Sequence, residues 1–118
     1  MKRETPIFTG VGTAIITPFK NGKIDYESYG KMVDFQIDGG VDSIIVCGTT
    51  GEAATLTDEE HRDIIEYTVK KVNGRVPVIA GTGSNDFAYA VDLSRHACEV
   101  GADALLHVTP YYNKTSQK

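Results

Sequence analysis

Gly48-Thr49-Thr50-Gly51-Glu52 is the segment whose residue types come closest to a binding site. Two glycines flank two threonines, so backbone can approach a ligand closely while hydroxyls and N–H groups point at it. Such a loop suits a small carboxylate or a phosphate; the plainer alternative is that its glycines only make tight turns. The GxxxxGK[ST] spacing and its lysine are absent, so it is not a P-loop. Gly81-Thr82-Gly83 fails the dinucleotide fingerprint because Asp86 stands where the third glycine belongs. No nucleotide cofactor is expected. Tyr111-Tyr112, directly after Thr109-Pro110, exposes two phenols on a loop. One can relay a proton, or the pair can pack in an interface. His61, His96 and His107 share no metal-ligand spacing and are given structural roles. Cys47 and Cys98 lie far apart in apolar segments and are expected as buried free thiols.

These loops need elements to position them. Four apolar runs, Val11 to Thr17, Ser43 to Cys47, Val76 to Ala80 and Ala104 to Val108, recur about every 30 residues, the length of one strand plus one helix. They are nearly continuous in Val, Ile, Ala and Leu, as strands buried on both faces of a parallel sheet must be. The first intervening helix is capped by Asp25, carries Tyr29, Val33 and Ile37 on one face, and ends at Gly39-Gly40. The second opens on the capping box Thr57-Asp58-Glu59-Glu60 and buries Ile64, Ile65, Thr68, Val69 and Val72, with Lys70-Lys71 suited to its C-terminus. The third starts at Ser84 or Asn85, carries Val91, Ser94, Ala97 and Cys98 on one face, and stops at Gly101. The order is β-α-β-α-β-α-β. It fits an open doubly wound sheet or part of a (β/α)8 barrel, and in both the strand-to-helix loops gather at the ligand-binding end.

The chain of 118 residues is read as a single domain or part of one, without an internal boundary. A (β/α)8 barrel typically needs about 250 residues, so as a barrel it would be a partial one. Its 41% hydrophobic and 24% charged residues place it among globular proteins and away from disordered ones. A formal net charge of −4, with no basic cluster denser than Lys70-Lys71, excludes an electrostatic footprint for nucleic acid. No run is apolar enough for a membrane span or signal peptide, so a cytoplasmic location is expected.

Gly48-Thr49-Thr50-Gly51-Glu52, Pro77-Val78-Ile79-Ala80-Gly81-Thr82-Gly83 and Thr109-Pro110-Tyr111-Tyr112-Asn113, in this order, resemble the dihydrodipicolinate synthase family of the N-acetylneuraminate lyase superfamily of (β/α)8 barrels. The likeness runs from about Phe8 to Lys114, the first part of the family's length. The resemblance implies α/β architecture as the N-terminal part of a TIM barrel, with about four strands and three helices. It also implies condensation of pyruvate with L-aspartate 4-semialdehyde through a lysine Schiff base, in diaminopimelate and lysine biosynthesis, without metal or cofactor. Thr49 and Tyr112 match the family's proton relay, and Thr50, beside Gly48, matches the group that holds the pyruvate carboxylate. Because the relay tyrosine reaches a neighbouring subunit, a homotetramer built as a dimer of dimers is implied.

The Schiff-base lysine, the second relay tyrosine and the arginine for the aldehyde substrate belong to later strands in the family. None of Lys20, Lys31, Lys70, Lys71 or Lys114 matches that nucleophile, so the solitary chain is expected to be an inactive fragment awaiting a C-terminal half. His61, Asn85 and Tyr111 match a lysine feedback site, whereas Tyr89, Asp58 and Ala53 replace its glutamate, histidine and serine, so weak or absent lysine inhibition is expected. A sister aldolase acting on N-acetylneuraminate or keto-deoxy sugar acids, and a non-catalytic half-barrel assembly module, are the competing readings.

Overall fold

The computed structural model describes residues 10–48, 56–83 and 87–107. Four strands, β1 (Gly12–Ala14), β4 (Ser43–Val46), β5 (Val78–Gly81) and β6 (Ala104–Leu106), form one sheet in the order β1-β4-β5-β6, and every pair is parallel. Helices α1 (Tyr26–Asp38), α2 (Asp58–Val72) and α3 (Phe87–Val100) connect them in sequence. Each strand therefore pairs with the next one in the βα series, as in a singly wound sheet, and the doubly wound alternative, whose strand order reverses at a switch point, is excluded.

One face of this sheet is packed. Ile44, Val46, Val78 and Ala80 are at most 2% exposed and meet Tyr29, Val33, Ile64, Ile65, Val72, Leu93 and Ala97 from the helices. The opposite face carries the register row Ala14, Ile45, Ile79 and Ala104, only partly covered, with Ile16 and Leu106 exposed nearby.

The helix ends follow their expected chemistry. Asp25 accepts from the Ser28 N–H at 3.1 Å, and the Ser28 hydroxyl donates back to it. In α2 the Thr57 hydroxyl accepts from the Glu60 N–H while the Glu60 carboxylate accepts from the Thr57 N–H, which completes the capping box. Asn73, at φ +50°, and Gly74 turn the chain out of α2 in left-handed conformations.

Three expectations need correction. The third strand begins at Val78, not Val76, because Pro77 has no N–H to give a ladder; its carbonyl still accepts from Ile44. The buried positions of α3 are Leu93 and Ala97, while Val91 is 40% exposed and Cys98 is exposed, so Cys98 is a free but not a buried thiol. The helix is rotated relative to the expected stripe because it packs against both α2 and β6, with Arg62 of α2 drawing Asp92 toward it. The expected caps of α3, Ser84 and Asn85, lie outside the described residues. An additional feature is the hairpin of β2 (Phe19–Lys20) and β3 (Lys23–Ile24), turned by Asn21 and Gly22 at φ +54° and +79°. Asn-Gly is the dipeptide that a two-residue turn with positive φ at both positions favours.

Candidate active site

The described ends of β4, β5 and β6 converge at the carboxyl edge of the sheet. Gly48, expected to border the carboxylate-binding loop, lies two residues beyond β4 and is buried. Thr49, Thr50, Asn85, Tyr111 and Tyr112 lie outside the described residues, as does Ala53.

The approach to Gly48 is tightly shaped. Cys47 has φ +60°, a left-handed conformation that non-glycine residues seldom adopt. Across from it, a side-chain carbon on Gly81 would overlap the Cys47 carbonyl oxygen and sit 2.8 Å from its carbon and 3.2 Å from the Gly48 nitrogen. Glycine at 81 is thus required by a close backbone approach. The Cys47 thiol is buried in apolar surroundings, which pushes its pKa up to about 12 and leaves it a packed thiol, not a nucleophile.

His61, in the first turn of α2, is 3% exposed, and its Nε2 lies 2.8 Å from the Gly81 carbonyl oxygen. A carbonyl only accepts, so Nε2 carries the proton and donates. Burial lowers the imidazole pKa, favouring the neutral ring. Tyr89 packs near it, with ring centroids 6.5 Å apart. The Tyr89 phenol is paired with Asp58 and its pKa is raised to about 12, first by burial and then by the Asp58 charge. Asp58 also accepts from Arg62 at 2.9 Å, which lowers its pKa.

A second polar cluster joins β5, β6 and α3. Thr82 is fully buried; the Ser94 hydroxyl donates to its Oγ1 at 2.9 Å, and His107 Nε2 lies 2.7 Å from that Oγ1 and 3.0 Å from Ser94 Oγ. The Thr82 N–H donates to the Leu106 carbonyl. His107 follows β6 directly instead of lying within it, and is two residues ahead of Thr109. Reading histidines only for metal spacing missed this contact; the available signal was a hydroxyl one residue beyond one strand and an imidazole one residue beyond its neighbour. Among the described residues no group of His, Cys, Asp and Glu could hold a metal ion, and no helix is long and apolar enough to cross a membrane.

With this geometry, comparisons with known proteins are specific. Residues 7–118 match the model of the dihydrodipicolinate synthetase family. A 4-hydroxy-tetrahydrodipicolinate synthase of Acetivibrio thermocellus is 66% identical over 113 residues, 96% of this chain and 39% of that protein. The crystal structure of dihydrodipicolinate synthase from Aquifex aeolicus superposes with a TM-score of 0.89 at 56% identity, covering 92% of this chain and 37% of that one. A prophage protein of the dihydrodipicolinic acid synthase family from Escherichia coli K12, solved in complex with pyruvate, superposes with a TM-score of 0.90 at 35% identity, covering 94% of this chain and 38% of that one.

The chain belongs to the dihydrodipicolinate synthetase family. It spans less than two fifths of the length of the curated relatives and solved structures it matches, and its four parallel strands and three helices are the N-terminal part of the family's (β/α)8 barrel.

Proposed function

We propose that this chain supplies the pyruvate-binding half of a 4-hydroxy-tetrahydrodipicolinate synthase, which condenses pyruvate with L-aspartate 4-semialdehyde through a lysine Schiff base. The observation that carries the reading is the 66% identity to a relative of that name, spread over 96% of this chain. The placement of Gly48, Gly81 and His107 at one edge of a parallel sheet agrees with it, because the loops that follow such strands are where barrels bind ligands.

In this reading Thr50 and the backbone beside Gly48 hold the pyruvate carboxylate. Thr49 and Tyr112 pass the protons that Schiff-base formation and the enamine require. Tyr112 does so across a subunit boundary in a homotetramer, and the enzyme works in the cytoplasm without metal or cofactor. The nucleophilic lysine comes from outside this chain. Lys20, Lys23, Lys31 and Lys70 are exposed, and Lys71 is paired with Asp34 at 3.1 Å, so none has the desolvated setting that activates an amine. A sister aldolase would share Thr49 and Thr50; the Tyr111-Tyr112-Asn113 spelling and the relative's name favour the synthase.

Intact mass after incubation with pyruvate and borohydride tests the reading, because borohydride fixes a Schiff base as a stable adduct. The 118-residue chain should give none, and the protein at the length of its relatives should give one adduct per chain. A stoichiometric adduct on the short chain would show an activated lysine within it and overturn the assignment of the nucleophile elsewhere. Its absence at full length would overturn the Schiff-base mechanism.

Feedback inhibition by lysine is expected to be weak. Tyr89 stands where that site's glutamate would be, and its phenol, with a pKa raised to about 12, carries no charge to pair with the ligand's ammonium. Clear micromolar inhibition would contradict this.

A further inference from the structure

Two Asn-Gly dipeptides stand in this chain, Asn21-Gly22 and Asn73-Gly74, and the structure holds them differently. Both asparagines have left-handed backbones, at φ +54° and +50°, and all four residues are exposed. A side-chain carbon placed on either Gly22 or Gly74 would meet nothing within 4 Å, so both turns stand clear of the packed layers. Asn-Gly is open to an intramolecular reaction, because glycine has no side chain to shield its nitrogen or restrict its approach. The glycine nitrogen attacks the asparagine Cγ. A new N–C bond closes a five-membered succinimide, and the side-chain nitrogen leaves as ammonia. Water then opens the ring at one of its two carbonyls, leaving aspartate or isoaspartate, with nothing oxidised or reduced. The attack needs the asparagine ψ to rotate out of the left-handed well, so either turn must open before it reacts.

The cost of opening separates the two sites. Asn21-Gly22 tips the hairpin of β2 and β3, which form a two-stranded sheet of their own with two residues in each strand. Of those strand residues Phe19, Lys20 and Lys23 are exposed and only Ile24 is buried, and so small a ribbon opens locally at little cost. Asn73-Gly74 is bracketed instead. The Asn73 N–H donates to the Val69 carbonyl at 3.0 Å and the Arg75 N–H to the Val72 carbonyl at 3.1 Å, one on each side of Gly74. The Arg75 guanidinium reaches back over the same turn: Nε donates to the Val72 carbonyl at 3.0 Å, and Nη2 donates to the Lys71 carbonyl and to Asp34, each at 2.9 Å. Asp34 also holds Lys71, so the end of α2 is tied to α1. We propose that Asn21 is a site of spontaneous isoaspartate formation in the folded protein, and that the Arg75 clamp spares Asn73. The hairpin lies in the connection from β1 to α1, so the altered backbone and its new carboxylate appear between Lys20 and Lys23.

Peptide mapping of the 118-residue chain during incubation at mildly alkaline pH tests the proposal. Each site is followed by the mass gained when NH2 becomes OH, and isoaspartyl peptides are separated from aspartyl ones by chromatography. In buffer Asn21 should convert at least about tenfold faster than Asn73, equivalent to about 1.4 kcal/mol of extra closing free energy, which the Arg75 bonds suffice to supply. In urea the two should react at similar rates, because the same dipeptide then sits in an open chain at both places. Arg75→Ala should bring Asn73 to within about threefold of Asn21 while leaving Asn21 unchanged. Asp34→Ala, which leaves the guanidinium on its two carbonyls, should give a smaller rise at Asn73. Equal rates in buffer, or an Asn21 that survives in buffer while both sites convert in urea, would overturn the proposal. An Asn73 rate unmoved by Arg75→Ala would overturn the clamp. If Arg75→Ala accelerates both sites together it has unfolded the chain, and the ratio of the two rates in Asp34→Ala then decides the clamp: a ratio unchanged from the parent overturns it.

Discussion

At the scale of single residues, hydrogen-bond accounting identifies donors that distances alone leave open. The Thr68 hydroxyl donates to the Ile64 carbonyl at 2.6 Å, so the proton in its 2.7 Å contact with Tyr29 must come from the phenol. Both groups are fully buried, and burial raises the Tyr29 pKa further above its ordinary value. Tyr29→Phe removes the donor but leaves Thr68 bonded to its own helix, so a loss of only about 1 kcal/mol is expected by urea unfolding. Gly81→Ala is a different case. Its methyl would collide with the Cys47 backbone, which cannot rotate away as a side chain would, so a loss of about 2 to 3 kcal/mol is expected in the same measurement. The two thiols should also separate in a timed reaction with a disulfide reagent at pH 8. Cys98, exposed on α3, reacts promptly, and Cys47, buried with its pKa near 12, reacts only on unfolding.

At the scale of elements, one device is used twice where a helix returns to the sheet. Gly40-Val41-Asp42 and Gly101-Ala102-Asp103 each begin with a left-handed glycine, at φ +94° and +107°, and end with an aspartate exchanging hydrogen bonds with the strand next door. Asp42 accepts from the Val11 N–H and donates its own N–H to the Val11 carbonyl; Asp103 does the same with Val78. Each aspartate closes the open amino-terminal end of a parallel pair. Between helices, Arg62 joins Asp58 to Asp92, and Asp34 receives Lys71 and Arg75. These pairs are solvated and contribute modestly at neutral pH, but their acid dependence has a definite sign. Asp25, Asp34, Asp58 and Glu66 all have lowered pKa values from hydrogen bonds or cationic partners. The unfolded chain then binds more protons as pH falls, so stability present above their ordinary values is lost on acidification. His61, lowered by burial, works in the same direction from about pH 6.5 downward. Thermal unfolding should therefore move to lower temperature from pH 7 to 5 through His61, and further from pH 5 to 3 through the carboxylates. Thr57→Ala, which removes half of the capping box, should cost about 1 kcal/mol.

At the scale of the whole molecule, the described residues pack the sheet fully on one face only. The row Ala14, Ile45, Ile79 and Ala104 is apolar and partly covered, Ile16 is 56% exposed, and β1 and β6 present strand edges at the two sides. In the family's barrel this face is the interior and both edges are paired. Produced by itself, the 118-residue chain should associate or precipitate, because apolar sheet surface and open edges invite pairing. Light scattering is the check, and a monodisperse monomer would count against an exposed interior face.

The sequence by itself determined the repeating unit. Continuous apolar runs, capping residues and left-handed glycines act locally, within a strand or a helical turn, so β-α-β-α-β-α-β was legible, as were the Thr57 box and the Tyr29, Val33 and Ile64 core positions. The order of three loop motifs was legible too, and it identified the family. The Asn21-Gly22 hairpin was equally local, and its turn signal went unused. Tertiary structure alone decided which side of α3 is buried, since that depends on the angle at which the helix meets α2 and β6. It also decided that His61 is committed to Gly81 and that His107 meets Thr82 and Ser94. Those pairings join residues 13 to 25 positions apart, and no periodicity within one element records which peptide or hydroxyl a distant imidazole will reach.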